Sequence, residues 1–255
     1  MSLPTIQDKM QSQMIRINEK LSRVKYKIAV LSGKGGVGKT TISVNLACTL
    51  AKNYSVGILD ADIDCPNVGK MLGIEEKFTM EGKKLIPKEK YGIKIISTAF
   101  FAEEDKPIIW RGPMIHNTIM QFLELADFGD LDYLIMDLPP GTSDAALTAM
   151  QLLPIDFVIV VTTPQELSLM DAKRSANMAK QFNKPTALIE NMTGNIFGKD
   201  RGKELAKELA IPFLGNIDLS EEIAASEGIP IVLKNKDFAN KFQDISNHLN
   251  TLLKK

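Results

Sequence analysis

Seven apolar runs of strand length recur along this 255-residue chain, at residues 27–31, 56–59, 93–96, 133–136, 157–161, 186–189 and 213–215, and stretches with helical spacing separate them. A run that is apolar throughout has no solvent face, so both faces of the sheet it joins must be covered. Parallel strands supply that cover, because each needs a long crossover before the next and the crossover helix lands on a face. The pattern predicts an α/β fold: a doubly wound, mostly parallel sheet with helices on both faces. In such sheets ligands bind where the carboxyl ends of strands meet helix starts, which narrows the search to the residues just after each run.

Nothing in the chain reads as a linker, so residues 1–255 are expected to form one domain, with 1–25 as an N-terminal helical extension and 236–255 as a C-terminal helix. Ile6, Met10, Met14, Ile17, Leu21 and Val24 fall near helical spacing in the first; Phe238, Phe242, Ile245, Leu249 and Leu252 do so in the second. Both stripes are expected to pack on the domain. Lys+Arg and Asp+Glu each total 31, so no net field draws the chain to nucleic acid or an acidic membrane. No basic segment leads into an apolar run at the start, and no stretch approaches the roughly 18 consecutive apolar residues of a membrane span. The expectation is a cytoplasmic protein with no nucleic-acid partner and no transmembrane segment. Cys48 and Cys65 are too few for a disulfide framework. Cys48, within the helix after the first run, is expected to be buried, and Cys65 to be accessible.

The chemistry begins where the first run ends. Residues 33–41 satisfy G-x-x-x-x-G-K-[ST] between a strand and a helix, the context that a phosphate-binding P-loop requires. Gly33, Gly35, Gly36 and Gly38 let the backbone, with Lys34 and Val37, turn N–H groups inward as a nest for phosphate oxygens, and the helix from Thr41 presents its positive end to the same anion. Lys39 neutralises the β- and γ-phosphates, and the Thr40 hydroxyl is a ligand for Mg²⁺. Two aspartate sites follow later strands: Asp60 and Asp62 after the second, and Asp137 after the fourth, where Pro139, Pro140 and Gly141 continue the loop. Asp137 is expected to hold Mg²⁺ through water, and the Gly141 backbone to sense the γ-phosphate. No N-K-x-D follows a late strand, so guanine is disfavoured; Asn191 can donate to and accept from adenine, and Pro212 can pack on its ring. Asn191 also reads as an ordinary strand-end turn residue.

Lys34, at the second position of G-K-G-G-x-G-K-T-T, resembles the deviant Walker A class that includes MinD, ParA, the nitrogenase iron protein and Mrp-type proteins. The resemblance implies an ATPase in which Lys34 reaches the phosphates of a facing subunit, so that hydrolysis is tied to a homodimer, and in which Asp62 orients or deprotonates the attacking water. A cation supplied in trans acts there as an arginine finger does. The alternative is that Lys34 solvates the loop edge of its own chain.

Further segments resemble the Mrp/ApbC group, whose members bind ATP and are associated with carrying or assembling iron–sulfur clusters. They are residues 57–63 with Pro66 and 71–73, the Trp110, Arg111, Gly112, Pro113, Met114 element, residues 137–144 with Leu147 and Thr148, Glu190 to Met192, and 212–217. One departure stands out: cluster-binding members carry a C-x-x-C soon after the Glu-Asn-Met segment, and residues 192–199 here contain no cysteine. A [4Fe–4S] centre normally takes four thiolates, and a homodimer offers at most two copies each of Cys48 and Cys65. Two functional classes follow. One is an ATPase of iron–sulfur assembly, with an iron–sulfur client or a cysteine-bearing homologue as partner; the other is a cluster-free, MinD/ParA-like switch that positions or regulates a macromolecule.

Overall fold

The computed structural model describes residues 6–62, 65–75, 79–81, 84–97, 112–226 and 228–254, with backbone alone at 6–10, 79 and 112–117. The expectations placed on Ile63, Trp110 and Arg111 lie outside the described residues. An eight-stranded sheet carries the fold. Its strands are β1 (Val24–Ser32), β2 (Val56–Asp60), β5 (Lys88–Lys90), β6 (Ile93–Ser97), β7 (Leu131–Asp137), β8 (Phe157–Thr162), β9 (Thr186–Thr193) and β10 (Phe213–Asp218), in the order β10-β9-β8-β1-β7-β2-β6-β5. Every pair is parallel except β5 with β6. A small antiparallel ribbon of β3 (Thr79–Glu81) and β4 (Lys84–Ile86) stands apart. All seven sequence-predicted runs are strands, and the doubly wound prediction holds.

Alternation along β1 shows how the sheet divides the core. Ile28 and Val30 join one apolar cluster with α2 (Lys39–Leu50) and α9 (Lys236–Leu253). Ala29 and Leu31 join the other, with α4 (Gly112–Leu125), α5 (Asp144–Leu152), α6 (Glu166–Gln181) and α7 (Arg201–Glu208). Successive side chains point to opposite faces, so a strand apolar at every position holds both layers at once.

The terminal helices pack on the domain through the described part of their stripes. α9 buries Phe238, Phe242, Ile245 and Leu249, with Leu252 half-buried against the same cluster. In α1 (Ile6–Leu21), Ile17 and Leu21 are buried, and Gln13 and Arg16 donate to the Glu124 carboxylate at 2.7 Å each, fastening the helix to α4. The N-terminal helix is shorter than expected. It stops at Leu21, and Val24 opens β1, pairing with Leu131, because residues 24–32 form an unbroken extended run that adds to the ladder. Among the described residues, no helix is long and apolar enough to cross a membrane.

Candidate active site

The end of β1 and the start of α2 are joined by residues 33–38 at the carboxyl edge of the sheet. Gly38 caps α2 in the left-handed region with φ 86°, and no side chain caps the helix. In α8 (Glu221–Ala224) and α9 the first N–H groups are taken by Ser220 and Asn235, whereas α2, like α5 and α6, has no such cap. The orphan N–H groups of α2 are left for an anion, and no acidic residue occupies its first turn to repel one. Gly33 has a separate reason to be glycine: a Cβ there would lie 2.1 Å from the Asp171 backbone on α6.

The fourth run places Asp137 at the end of β7, next to β1, where it is fully buried. Its carboxylate gathers the first turns of α2. Thr40 Oγ1 donates to Oδ2 and Ser43 Oγ to Oδ1, both at 2.7 Å, while Lys39 Nζ stands 3.0 Å from Oδ2. Lys39 Nζ is also 3.4 Å from Asp62 Oδ2, and neither approach is an aligned hydrogen bond. Burial would pull the Lys39 ammonium down, but Asp137 and Asp62 outweigh it and raise it above the ordinary lysine range. A charged lysine with three donors, close to only two carboxylate oxygens, can turn a donor to an incoming anion.

Burial pushes Asp62 up, with Lys39 opposing and the Asp137 charge adding to the rise. The side chain lies beside Lys39 and accepts from the Cys65 N–H at 3.3 Å, so it lines the same cleft. Asp60 has a different task. Its carboxylate accepts from Ser97 Oγ (2.9 Å) and from the Val68 N–H (3.1 Å) that starts α3 (Val68–Met71), holding the loop after β2. Burial, then the neighbouring Asp137 charge, pushes it up to about 7.

The hydroxyl and carboxylate oxygens of Thr40 and Asp137 form a hard donor pair at the mouth of the phosphate loop. Mg²⁺ takes one or two protein oxygens and keeps its remaining places for water and phosphate, so this pair fits that ion. Among the described residues no group of three or more His, Cys, Asp or Glu side chains is arranged to hold a metal on its own. The loop, Asp62 and Pro140 open onto a cleft of about 840 Å³. Pro140 precedes Gly141, whose φ is +82° and whose N–H donates to the Ser32 carbonyl at 2.7 Å.

This geometry is that of a nucleotide hydrolase, and comparison with known proteins agrees. The sequence profile of the NUBPL iron-transfer P-loop NTPases, a ParA-type family, matches residues 23–250. The chain belongs to this family. It is 45% identical over 260 residues to the iron-sulfur cluster carrier protein of Methanocaldococcus jannaschii, covering 95% of this chain and 90% of the relative. The Archaeoglobus fulgidus nucleotide-binding protein, solved in complex with ADP, superposes with a TM-score of 0.73 at 34% identity, covering 84% of this chain and 89% of that one. The cell division ATPase MinD of Pyrococcus furiosus shares the fold, with a TM-score of 0.70 at 20% identity over 89% of this chain and 99% of that one.

Within this NUBPL-type NTPase, one of the two sequence-predicted base contacts, Pro212, stands at the other end of its strand from the one expected. Pro212 precedes β10, and its carbonyl accepts from Leu188 early in β9. It therefore sits at the amino end of β10; through the register of β9 and β8 it is level with Val30, about three residues or roughly 10 Å short of Gly33 along the strand direction. The expectation took the proline before the strand, whereas the end facing the site is Asp218. Asn191 is at the correct edge, but its Nδ2 donates to the Val37 carbonyl at 2.8 Å, and a Cβ on Gly38 would meet that Nδ2 at 2.1 Å. Its amide braces the phosphate loop.

Several contributors escaped the sequence reading. Ser43 follows Lys39 by four residues, one turn along the same face of α2, and that spacing was the available signal. Glu190, fully buried in β9, accepts from the Asp200 and Gly202 N–H groups at 2.9 and 2.6 Å and fastens the start of α7. The Glu-Asn-Met segment thus braces both the loop and a helix. Beyond it, Gly194 and Gly198 exchange two backbone hydrogen bonds of 2.9 and 2.8 Å, closing a tight turn with Ile196 exposed at its tip. That turn offers no thiolate. Cys48 is buried and pushed up to about 12 by burial, whereas Cys65 is exposed on the cleft. Titration with an aromatic disulfide under native conditions should show one fast thiol, abolished by Cys65→Ser, and a second only on unfolding; two fast thiols would contradict this burial.

Proposed function

We propose that this chain is a Mg²⁺-dependent ATPase of iron–sulfur cluster assembly that works as a nucleotide-linked homodimer in the cytoplasm, each copy a single domain. The observation that carries the ATPase reading is the meeting of Lys39, Thr40 and Asp62 with Asp137 beneath an uncapped helix. The N–H groups of residues 33–41 and Lys39 bind the triphosphate, and Thr40 and Asp137 hold the cation in place. Mg²⁺, when bound, neutralises charge on the β- and γ-phosphate oxygens. Asp62 orients the attacking water, and in a loose phosphoryl-transfer transition state positioning counts for more than basicity. Lys34 supplies its charge to the facing copy.

The assembly role rests on family membership and on the carrier names of relatives such as that of M. jannaschii. With no C-x-x-C in residues 192–199, the cluster is cargo of a client or of a cysteine-bearing homologue, while this chain contributes nucleotide-driven dimerisation. The second reading, a cluster-free switch, draws on the same missing cysteines. Phosphate release from Mg·ATP, lost on chelation with EDTA, tests the ATPase. Anaerobic incubation with iron and sulfide tests the cargo: no bound iron in the homodimer, but uptake in a mixture with a cysteine-bearing homologue, is expected. Metal-free dimerisation on ATP with no uptake in either case favours the switch.

A further inference from the structure

The cleft runs past the phosphate loop between two walls from distant parts of the chain, α3 with the residues after it and α8 with the turn after it. Each wall is built on a four-residue helix, too short to be rigid alone. The walls touch at Gly73 and Gly228, both in the left-handed region, with φ +62° and +68°. A Cβ on Gly73 would lie 3.0 Å from the Gly228 carbonyl oxygen, and a Cβ on Gly228 would lie 3.2 Å from the Gly73 Cα. The β5–β6 hairpin pins this contact from outside. Its two-residue turn, Tyr91 and Gly92, has positive φ at both positions, as a tight hairpin requires. From it the Tyr91 hydroxyl donates to the Gly228 carbonyl at 3.2 Å, and Lys90 Nζ donates to the Gly73 carbonyl at 2.6 Å.

We propose that the Gly73–Gly228 contact closes the chamber that receives the nucleoside end of the nucleotide, and so sets how much base and sugar add to the affinity of the phosphate cradle. The inference rests on the nucleotide reading above. Thr41, one residue past Thr40, lines the same cleft, and Met71 and Ile223 flank it further along. A ligand with phosphates on residues 33–40 extends its other end between those walls. Apolar flanks contribute only while water stays out, and the contact keeps the walls together. Glycine suits both positions, because a side chain is disfavoured at such φ and would shift the opposite backbone by a few tenths of an ångström.

The test is calorimetric binding of ATP and of inorganic tripolyphosphate to wild type, Gly228→Ala and Tyr91→Phe, with melting curves to show that each is folded. Gly228→Ala is expected to weaken ATP roughly tenfold and to leave tripolyphosphate within about twofold; Tyr91→Phe, which keeps both glycines, should weaken ATP about threefold. Equal loss for both ligands would mean that the contact serves the cradle or the fold, and it overturns the proposal. So does unchanged ATP affinity in a folded variant, and should Gly228→Ala not fold, Tyr91→Phe decides by the same criterion. A wild-type chain that binds tripolyphosphate as tightly as ATP overturns the chamber alone; one that binds neither overturns the nucleotide reading with it.

Discussion

Lys34→Ala leaves the affinity for Mg·ATP within about twofold and lowers turnover about a thousandfold, the scale on which a cation supplied to a transferring phosphoryl group acts. The expectation follows from where the side chain stands. Gly35, Gly36 and Lys39 line the cleft of their own chain, and Lys34 does not. Half-buried at the lip of the loop, it makes no ion pair among the described residues, whereas Lys39 has two carboxylates within 3.4 Å. A lysine that bound its own phosphates would be missed in the dissociation constant; one that reaches a facing copy is missed only in the rate. Mixing separates the two. Lys34→Ala and Asp62→Ala chains, each inactive alone, should recover activity together, because a mixed dimer holds one site with an intact Asp62 and a Lys34 donated from the other chain. Turnover at the wild-type rate in Lys34→Ala, or no recovery on mixing, would rule out the trans role.

How far the site could be read from the sequence depended on whether a residue's task is local. The phosphate loop is local: a strand, six residues and a helix place Gly38, Lys39 and Thr40 without help from the rest of the chain, and the structure has them there. Asp62 and Asp137 were legible because parallel strands share one carboxyl edge, so any residue just after an apolar run arrives at the same place. Pro212 comes before its strand, so the same rule puts it at the other end from that edge. Asn191 was located correctly, but the direction of its amide depends on Val37, 154 positions away, and no pattern within either segment encodes that meeting. The β5 strand was missed for a different reason. Lys88, Glu89 and Lys90 form an edge strand of polar residues with nothing apolar to mark it. Its hairpin still matters, because Tyr91 reaches the wall of the cleft.

Lys39→Ala abolishes the heat of Mg·ATP binding at millimolar magnesium and also destabilises the protein, two effects with one cause. In the folded chain Lys39 is 7% exposed and lies between Asp62 and Asp137, themselves almost wholly buried. Without it, those charges face each other in a site that keeps the Thr40 and Ser43 hydroxyls but no cation; removing one partner of a buried ionic group typically costs about 3–5 kcal/mol. The pH dependence identifies the mechanism. Burial already raises Asp62, and Lys39 is the main opposing influence. Asp60, pushed up to about 7 by burial and by Asp137, also loses a stabilising charge. Both rise further in the variant. A carboxyl with a folded value above its unfolded one weakens the fold at pH above the folded value, and that penalty fades as it takes up its proton. The stability deficit of Lys39→Ala relative to wild type should therefore be largest around pH 8 and narrow toward about pH 5, as urea unfolding at each pH would show. A deficit that stays constant across that range would place the loss in packing, and retained heat on adding ATP would refute the role given to Lys39 in the phosphate cradle.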